Sequence, residues 1–538
     1  MLSHSGVAAT SARLPIDIRR FPWIRRLAAD YAFDFARLSP FFAGNPADAA
    51  AWRDAIARAQ RHPRNREALA DLLEVQQRRR GAPPEAIAAT ARLRDANSVA
   101  VVTGQQAGLF GGPLYALLKA VTTLRLAERV QADHGVGAVA IFWVEGEDHD
   151  WDEVKTCNVL DSELALRPVT LATPAGANET SVARLRLDGS VVPALEQLES
   201  VLQSTEFTPG VFERLRRAYR SGTGMVDAFA VLLESMFGPR GLIVYDAADA
   251  AAKPLVADLF AREVQYPGRT ARLAREAGEA LQAQGYHAQA TPQEGSIALF
   301  HLNSTRAPLH GEGPALVDEV RRFPERFSPN VLLRPLVQDT LFPTVCYVSG
   351  PNELGYLGQL RAVYDAFGVP MPLIHQRATA TIVDSNTMRF LSKHEFPFEA
   401  LRARDEGRLN ELLEAQLPRL VESSLQDALQ SAEARMQTLA LHVKQVDPTL
   451  EGAVNSTLSR MQDDLKKLHG KIIQAAKRKD ETLRRQYHHA QAQAFPGGHP
   501  QEREVGFIYF VNKYGPGLVD RLNDELPLDM GVHWVVTI

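Results

Sequence analysis

Cysteine is scarce in this 538-residue sequence, and long apolar runs are absent. Two cysteines, Cys157 and Cys346, cannot build a disulfide framework, which is typical of a reducing compartment. No run approaches the roughly 18 apolar residues that a membrane-spanning helix needs. The stretch 1–13 lacks the charged leader and apolar block of a signal peptide. These absences predict a cytoplasmic protein that does not enter a membrane.

A strong net charge is missing as well. The sequence has 60 Lys and Arg against 64 Asp and Glu, for a net charge of -4. Such a balance favours neither nucleic acid nor an anionic membrane as a partner. The chain is too long for one simple hydrophobic core, so we expect two or more structural units in a soluble protein.

Four short apolar runs predict a parallel sheet. Residues 98–103 (S-V-A-V-V-T) and 138–144 (A-V-A-I-F-W-V) flank a helix that begins near Pro113. Strand–helix–strand order with fully apolar strands is typical of an α/β fold whose sheet is covered on both faces. Residues 241–246 and 343–349 have the same character, and we expect them in the same sheet.

The intervals between these strands exceed ordinary crossovers. We interpret 161–240 and 247–335 as insertions carried by one core, which is formed by 1–160, 241–246 and 336–397. Residues 20–95 repeat apolar positions every three to four residues, which predicts helices.

A heptad pattern predicts a long helical hairpin over 398–495. Apolar residues alternate spacings of four and three on both sides of Asp447-Pro448. These positions are Leu425, Leu429, Ala432, Met436, Leu439, Val443 and Val446, then Val454, Leu458, Met461, Leu465, Leu468 and Ile472. Two antiparallel helices follow, and the second, with 40-odd residues, would extend about 60 Å. An arm of that length protrudes or pairs with another subunit, and a helical layer on the main body is the alternative. Residues 496–538 are expected to return to the core.

Three unusual segments follow predicted strands, where parallel α/β folds bind ligands. The first is T-G-Q-Q-A-G-L-F-G-G-P-L-Y, residues 103–115. Its glycines allow close approach of the backbone to a ligand, and the next helix would present free N–H groups to a phosphate or carboxylate. A tight turn that needs glycine only for packing is the alternative. The candidate binding residues are Gly104, Gln105, Gln106, Gly111, Gly112, Pro113 and Tyr115.

The second segment, residues 142–154, reads F-W-V-E-G-E-D-H-D-W-D-E-V. Crowded carboxylates raise one another's pKa, so they suit acid/base chemistry or a substrate amine. A metal site and a solvated loop remain alternatives, although no spaced metal motif is present. The candidate catalytic residues are Glu145, Glu147, Asp148, His149 and Asp150. Trp143 and Trp151 are interpreted as packing residues.

The third segment is S-G-P-N-E-L-G-Y-L-G-Q-L, residues 349–360. Its candidate substrate-binding residues are Ser349, Asn352, Glu353 and Tyr356. A capped turn with Asn352 as the N-cap is the alternative. Cys157 and Cys346 are interpreted as structural, because no His/Asn pair can be assigned to either.

These three segments resemble the cysteine-adding enzymes of bacillithiol biosynthesis, the BshC family, in order and spacing. The matching pieces are V-V-T-G-Q-Q-A-G-L-F-G-G-P-L-Y-A-L-L-K-A, the acidic segment and V-S-G-P-N-E-L-G-Y-L-G-Q-L. The resemblance covers nearly the whole chain. It implies a Rossmann-like, nucleotidyltransferase-type core with inserted connecting peptides, and a coiled coil that forms a homodimer.

The resemblance also implies a reaction, in which the carboxyl group of cysteine joins the amine of glucosaminyl-malate. Glu145, Glu147, Asp148 or Asp150 would bind the cysteine ammonium or deprotonate the glucosamine amine. Gln105, Gln106 and Asn352 would orient carboxylate or sugar groups. The chain has no H-I-G-H tetrad and no K-M-S-K-S loop. Whether ATP or another nucleotide activates the carboxyl group is therefore left open. Two other functions remain as alternatives: a metal-dependent hydrolase and a non-catalytic assembly protein.

Overall fold

The computed structural model describes residues 13–303, 305–402, 407–416 and 419–538. The chain forms two compact units: the first holds the residues up to Ile382 together with His499–Ile538, and the second holds Val383–Gly498. The stretch in which no signal peptide is expected lies outside the described residues, apart from its last residue, and so do 403–406 and 417–418 of the predicted hairpin.

The described residues form thirteen strands. They are β1 (Arg13–Asp17), β2 (Val99–Gln106), β3 (Ala138–Glu145), β4 (Thr156–Leu160), β5 (Leu166–Thr170), β6 (Ile243–Asp246), β7 (Leu299–Leu302), β8 (Arg306–Pro308), β9 (Phe327–Pro329), β10 (Thr344–Ser349), β11 (Leu373–Gln376), β12 (Thr379–Val383) and β13 (Val532–Thr537).

Most of the helices lie in the first unit. They are α1 (Arg26–Phe33), α2 (Ala49–Arg61), α3 (Arg66–Arg80), α4 (Pro84–Ala91), α5 (Leu114–His134), α6 (Trp151–Val154), α7 (Val191–Val201), α8 (Thr208–Ala218), α9 (Met225–Phe237), α10 (Ala257–Gln265), α11 (Arg269–Ala283), α12 (Pro314–Arg322), α13 (Arg334–Leu341), α14 (Leu354–Leu357) and α15 (Arg361–Phe367). The second unit contributes α16 (Ser385–His394), α17 (Gly407–Gln416), α18 (Arg419–Val443) and α19 (Leu450–Ala494). The chain then adds α20 (Gln501–Glu504), α21 (Phe507–Tyr514) and α22 (Gly517–Glu525) to the first unit.

A five-stranded parallel sheet in the order β11-β10-β2-β3-β6 forms the centre of the first unit. The four predicted strands are all present in it, and the Rossmann-like α/β prediction is confirmed. Sequence reasoning missed β11, because Leu373–Gln376 holds only two apolar residues and ends in a histidine and a glutamine.

Both faces of this sheet are covered. Val99 and Val101 of β2 belong to one hydrophobic cluster, and Ala100 and Val102 belong to the other. Successive side chains of a strand point to opposite faces, so a strand buried on both sides reads as one continuous apolar run. Burial of each such valine contributes about 1.5–3 kcal/mol.

β2 ends later than the apolar pattern predicts. β2 continues through Gln106, because Gly104–Gln106 pair in register with Trp143–Glu145 of β3. Gly104 is therefore a strand residue and not part of the turn. Pro113 is the N-cap of α5, and the helix begins at Leu114, next to the expected start.

Smaller sheets surround the core. β4, which ends just before the first predicted insertion, pairs antiparallel with β5 inside it, and β8-β7-β9 form an antiparallel sheet in the second insertion. β1 pairs with β13 in a sheet of order β1-β13-β12. Residues 532–537 therefore lie beside residues 13–17, and His499–Ile538 belong to the first unit.

The second unit contains the predicted helical hairpin. α18 and α19 pack against each other and are joined by a short connection at 444–449. The 45 residues of α19 correspond to about 68 Å. Most of the heptad positions are partly buried, whereas Leu439, Val446, Met461 and Leu468 are exposed. None of the helices in the described part of the chain is both long and apolar enough to cross a membrane.

Candidate active site at the strand ends

The carboxyl ends of β10, β2 and β3 are neighbours in the sheet, so the three unusual segments lie side by side. Gln106 is paired with Glu145 across β2 and β3. The acidic segment therefore begins directly beside the two glutamines.

Each of the first three carboxylates in the acidic segment faces a cation. Glu147 forms a buried ion pair with Lys253. Asp148 lies 3.6 Å from a guanidinium nitrogen of Arg306. The remaining pair is wider, with Glu145 Oε2 4.0 Å from Arg334 Nε. All three cations lie between β6 and β10, within residues 247–335, so this part of the chain balances the charges of these three carboxylates.

The buried position of Glu147 alters its protonation. Burial raises the pKa of this carboxyl group to about 7, although Lys253 lowers it and the nearby Glu145 raises it further. Glu147 is almost inaccessible to solvent, whereas Glu145 and Asp148 have 20% and 38% of their side chains exposed. Of these three carboxylates, the last two are therefore placed to meet a substrate.

The next two candidates have local roles. The Asp148 carboxylate accepts the backbone N–H of His149 at 2.8 Å and lies 3.2 Å from its ring Nδ1. Asp150 is the N-cap of α6, where its side chain accepts the N–H of Glu153. Trp143 and Trp151 are buried packing residues, as expected. Within the described residues, no group of three or more His, Cys, Asp and Glu side chains could hold a metal ion.

A second ionic network connects the first and third segments. Lys119 of α5 is buried and donates to Gly104 O at 2.7 Å, Gln105 Oε1 at 3.2 Å and Glu353 Oε1 at 2.7 Å. Glu353 also accepts the N–H of Gly350 at 2.7 Å and the hydroxyl of Tyr347 at 2.9 Å. Burial opposes the charge on Glu353, yet Lys119 and these donors keep its pKa below the usual value.

Tyr356 extends this network toward the acidic segment. Its hydroxyl lies 3.3 Å from Glu353 Oε2 and accepts a hydrogen bond from Arg334 at 3.0 Å. Arg334 is the same residue that faces Glu145. A continuous chain of polar contacts therefore crosses the ends of all three strands.

The two glutamines line a cleft of about 440 Å³. The amide nitrogen of Gln105 is 3.2 Å from the Tyr115 hydroxyl, and that of Gln106 is 3.3 Å from Asp148 Oδ2. Tyr115 and Arg503 also line this cleft. The cleft therefore offers amide, hydroxyl and guanidinium groups within reach of the acidic segment.

The glycine turn is built around the C-terminal segment of the chain. Gly111 has a φ of +96°, and a Cβ added to it would lie 2.2 Å from the ring of Phe507. Gly111 N–H donates to Gly108 O and to the Tyr219 hydroxyl, and Leu114 N–H donates to Val505 O. These backbone N–H groups, which the sequence predicted would bind an anion, therefore donate to acceptors within the protein. This geometry agrees with the alternative that the turn needs glycine for packing.

The third segment divides between two environments. Glu353 and Tyr356 enter the network described above, and Ser349 is buried at the end of β10. Asn352 lines a different cleft, of about 380 Å³, with Arg25 and His287. The alternative role of Asn352 as an N-cap is wrong, because α14 begins after Glu353 and no side chain caps it.

Sequence reasoning missed four cations of this site. Lys119 left a visible signal, a lysine inside the apolar helix L-Y-A-L-L-K-A-V. Lys253, Arg306 and Arg334 left none, because each lies more than 100 residues from the carboxylate that it faces. Both cysteines are buried, and burial raises the pKa of the Cys157 thiol to about 12.

Two family models match the chain. Bacillithiol biosynthesis BshC, N-terminal Rossmann-like domain, matches 15–378, and Bacillithiol biosynthesis BshC, C-terminal coiled-coil domain, matches 380–538. Relatives named "Putative cysteine ligase BshC" from Salinibacter ruber, Koribacter versatilis and Geobacillus thermodenitrificans are 35%, 32% and 29% identical to this chain. The matches cover 95%, 95% and 96% of this chain, and 96%, 97% and 98% of those proteins. The similarity therefore extends over both units.

Proposed function

Because this chain belongs to the BshC family of bacillithiol biosynthesis, we propose that it is a cysteine ligase that adds L-cysteine to glucosaminyl-malate. Whole-chain similarity to relatives of that name carries the proposal. In the reaction, the glucosamine nitrogen forms a bond to the carboxyl carbon of cysteine. One carboxyl oxygen leaves that carbon, and the nitrogen gives up a proton to a base.

A carboxylate does not condense with an amine in water unless it is activated, so ATP or another nucleotide is the class of co-reactant to test. In the glycine turn, the N–H groups of Gly108, Gly111, Gly112 and Leu114 are engaged within the protein, so these four are not free to bind the phosphates of a nucleotide. We therefore assign no residue to the nucleotide.

Asp148 is the carboxylate that we propose binds or deprotonates the substrate amine. It is the most exposed of the three carboxylates that face cations, and it accepts a hydrogen bond from Gln106, which lines the cleft. Glu145, which is paired with Gln106 across β2 and β3, is the second candidate acid, and Gln105 and Gln106 orient the substrate groups. Asp150 is excluded from this role because it caps a helix.

The cation partners distinguish this site from the hydrolase alternative. Carboxylates that bind a divalent metal ion converge on one position, whereas Glu145, Glu147 and Asp148 each face a separate lysine or arginine. We therefore do not pursue a metal-dependent hydrolase.

The test is product formation by the purified protein. Cysteine and glucosaminyl-malate are incubated with and without ATP, and bacillithiol is measured by mass spectrometry. Asp148→Ala and Gln106→Ala are expected to abolish product, whereas Asp152→Ala is a matched control from the same segment, because Asp152 is exposed and pairs with Lys155. Wild-type protein that makes no product under any condition would contradict the proposed function. Near-normal turnover in both site variants would contradict the assigned roles.

We also propose that the hairpin joins two copies of the chain. Six of the twelve large apolar side chains that are exposed in the described residues fall within 439–468. They are Leu439, Leu441, Val446, Leu450, Met461 and Leu468. Partly open heptad positions and this cluster suit an interface that a second hairpin would cover.

Sedimentation equilibrium tests this assembly. Wild-type protein should have the mass of a dimer, and Leu441→Lys combined with Leu468→Lys should shift it to the monomer. Val192→Lys is the matched control, because Val192 is equally apolar and exposed but lies outside the hairpin. A monomeric wild-type protein would refute this part of the proposal.

We place the enzyme in the cytoplasm, which the two unbridged cysteines favour.

A further inference from the structure

Lys119 is a buried cation near the cleft that has no role in the proposed reaction described above. Its side chain is 4% exposed, and its ammonium group has three acceptors, Gly104 O, Gln105 Oε1 and Glu353 Oε1. A lysine ammonium has three N–H donors, so these partners satisfy all of them. Lys119 therefore cannot also bind a substrate, and its effect on the cleft must pass through a neighbour.

Gln105 is the neighbour that lines the cleft. Because an ammonium only donates, the amide atom that faces Lys119 must be the oxygen. The amide nitrogen then points away from Lys119, where it lies 3.2 Å from the Tyr115 hydroxyl. An amide nitrogen carries two hydrogens, so one remains for a ligand in the cleft.

Gln106 is held in the opposite sense. Its amide contacts Asp148, whose carboxylate only accepts, so the nitrogen must face Asp148 and the oxygen is left for a ligand. One glutamine therefore offers a donor to the cleft, and the next offers an acceptor.

We propose that Gln105 donates a hydrogen bond to the carboxyl group of cysteine and that Lys119 is the positioning residue that fixes its amide. The inference rests on the proposed function, since amide formation brings a carboxyl group beside an amine. The acceptor at Gln106 and the carboxylate of Asp148 suit the amine. The donor at Gln105 then suits the carboxyl group.

Cysteamine, which is cysteine without its carboxyl group, tests this contact directly. Affinities of cysteine and cysteamine are measured by calorimetry, which needs no turnover. A hydrogen bond to a charged group should make wild-type protein bind cysteine at least about tenfold more tightly. In Gln105→Glu the side chain still accepts from Lys119 but loses its donor, so the preference should fall to within about twofold. Gln131→Glu is the control, because it makes the same change at an exposed position of α5.

The role of Lys119 is tested with its charge balanced. Lys119→Met combined with Glu353→Gln removes both charges of this ion pair, so the fold should survive while the amide of Gln105 is freed. We expect this folded variant to lose the preference for cysteine. A retained preference would overturn the positioning role, because a purely structural lysine would be replaceable in this way.

The remaining outcomes separate the two proposals. Equal affinities of wild-type protein for cysteine and cysteamine, or an unchanged preference in Gln105→Glu, would overturn the contact. Absence of bacillithiol in the turnover assay counts against the proposed function, and the calorimetry still decides whether Gln105 binds a carboxyl group.

Discussion

Removing Lys253 should make the stability of the first unit depend on pH in a specific way. In Lys253→Met, Glu147 remains almost fully buried without the cation that it faces. The pKa of Glu147 is about 7 with Lys253 present, and without that cation it must rise further. At pH 6 the carboxyl group is then protonated in both proteins, and the variant should lose little stability. Above pH 7, Glu147 of the folded wild type has lost its proton. Glu147 of the folded variant still holds its proton and releases it only when the chain unfolds.

The magnitude follows from proton linkage. Because the folded variant binds one proton more than its unfolded state above pH 7, its unfolding free energy falls by about 1.4 kcal/mol per pH unit relative to wild type. The loss should therefore reach roughly 3 kcal/mol at pH 9. That value approaches the 3–5 kcal/mol typical of breaking a buried ion pair. The direction is fixed: a carboxyl group with a raised pKa lowers stability as pH rises.

Tryptophan fluorescence reports this unfolding selectively. All five tryptophans of the sequence lie in the first unit. They are Trp23, Trp52, Trp143, Trp151 and Trp534. Urea titrations at pH 6, 7, 8 and 9 therefore follow the unit that contains the ion pair, without a tryptophan signal from the hairpin.

The control variant combines Lys253→Met with Glu147→Gln. It has no buried charge at this position, so its stability relative to wild type should not fall between pH 7 and 9. If Lys253→Met alone shows no greater loss at pH 9 than at pH 6, Glu147 is not the buried ionised partner and the electrostatic description of the acidic segment is wrong.

Two further predictions concern the core of the first unit. Gly111→Ala should lower the unfolding free energy by about 2–4 kcal/mol, because the new Cβ meets the ring of Phe507 and φ is positive. Gly135→Ala, with a φ of +64° and open space around it, should cost only about 1–2 kcal/mol, and equal losses in urea titrations would refute the steric part. Burial lowers the pKa of His375 to about 4. Between pH 6.5 and 4, this histidine therefore becomes protonated in the unfolded chain but stays neutral in the folded protein. His375→Gln should therefore reduce the acid-induced fall in stability by about 1.4 kcal/mol per pH unit, and an unchanged slope between these pH values would contradict it.

The sequence predicted the parallel sheet where strands are buried on both faces. The run A-V-A-I-F-W-V of β3 has no polar residue, so its environment can be read without a structure. β11 could not be found in this way. Its His375 and Gln376 are buried because they hydrogen-bond to backbone carbonyl groups, and such partners have no local sequence pattern.

The sequence predicted where the candidate site lies, but not which of its carboxylates are charged. Strand ends and unusual composition located the acidic segment, and sheet order brought it beside Gln106. The charge state of Glu147 depends on Lys253, which lies on another element far along the chain. The need for glycine at position 111 could not be predicted either, because a side chain there would meet the ring of Phe507, nearly 400 residues later in the chain.

The return of residues 499–538 to the first unit has a consequence for synthesis on the ribosome. β1 cannot pair with β13, and Gly111 cannot pack against Phe507, before the 116 residues of Val383–Gly498 have been translated. At about 5–20 residues per second, that interval is roughly 6–23 s. During it the sheet of β1 and β12 lacks its middle strand, and one face of the parallel sheet lacks the cover of Phe507 and its neighbours. Apolar surface of the first unit is therefore exposed to chaperones and proteases during this interval.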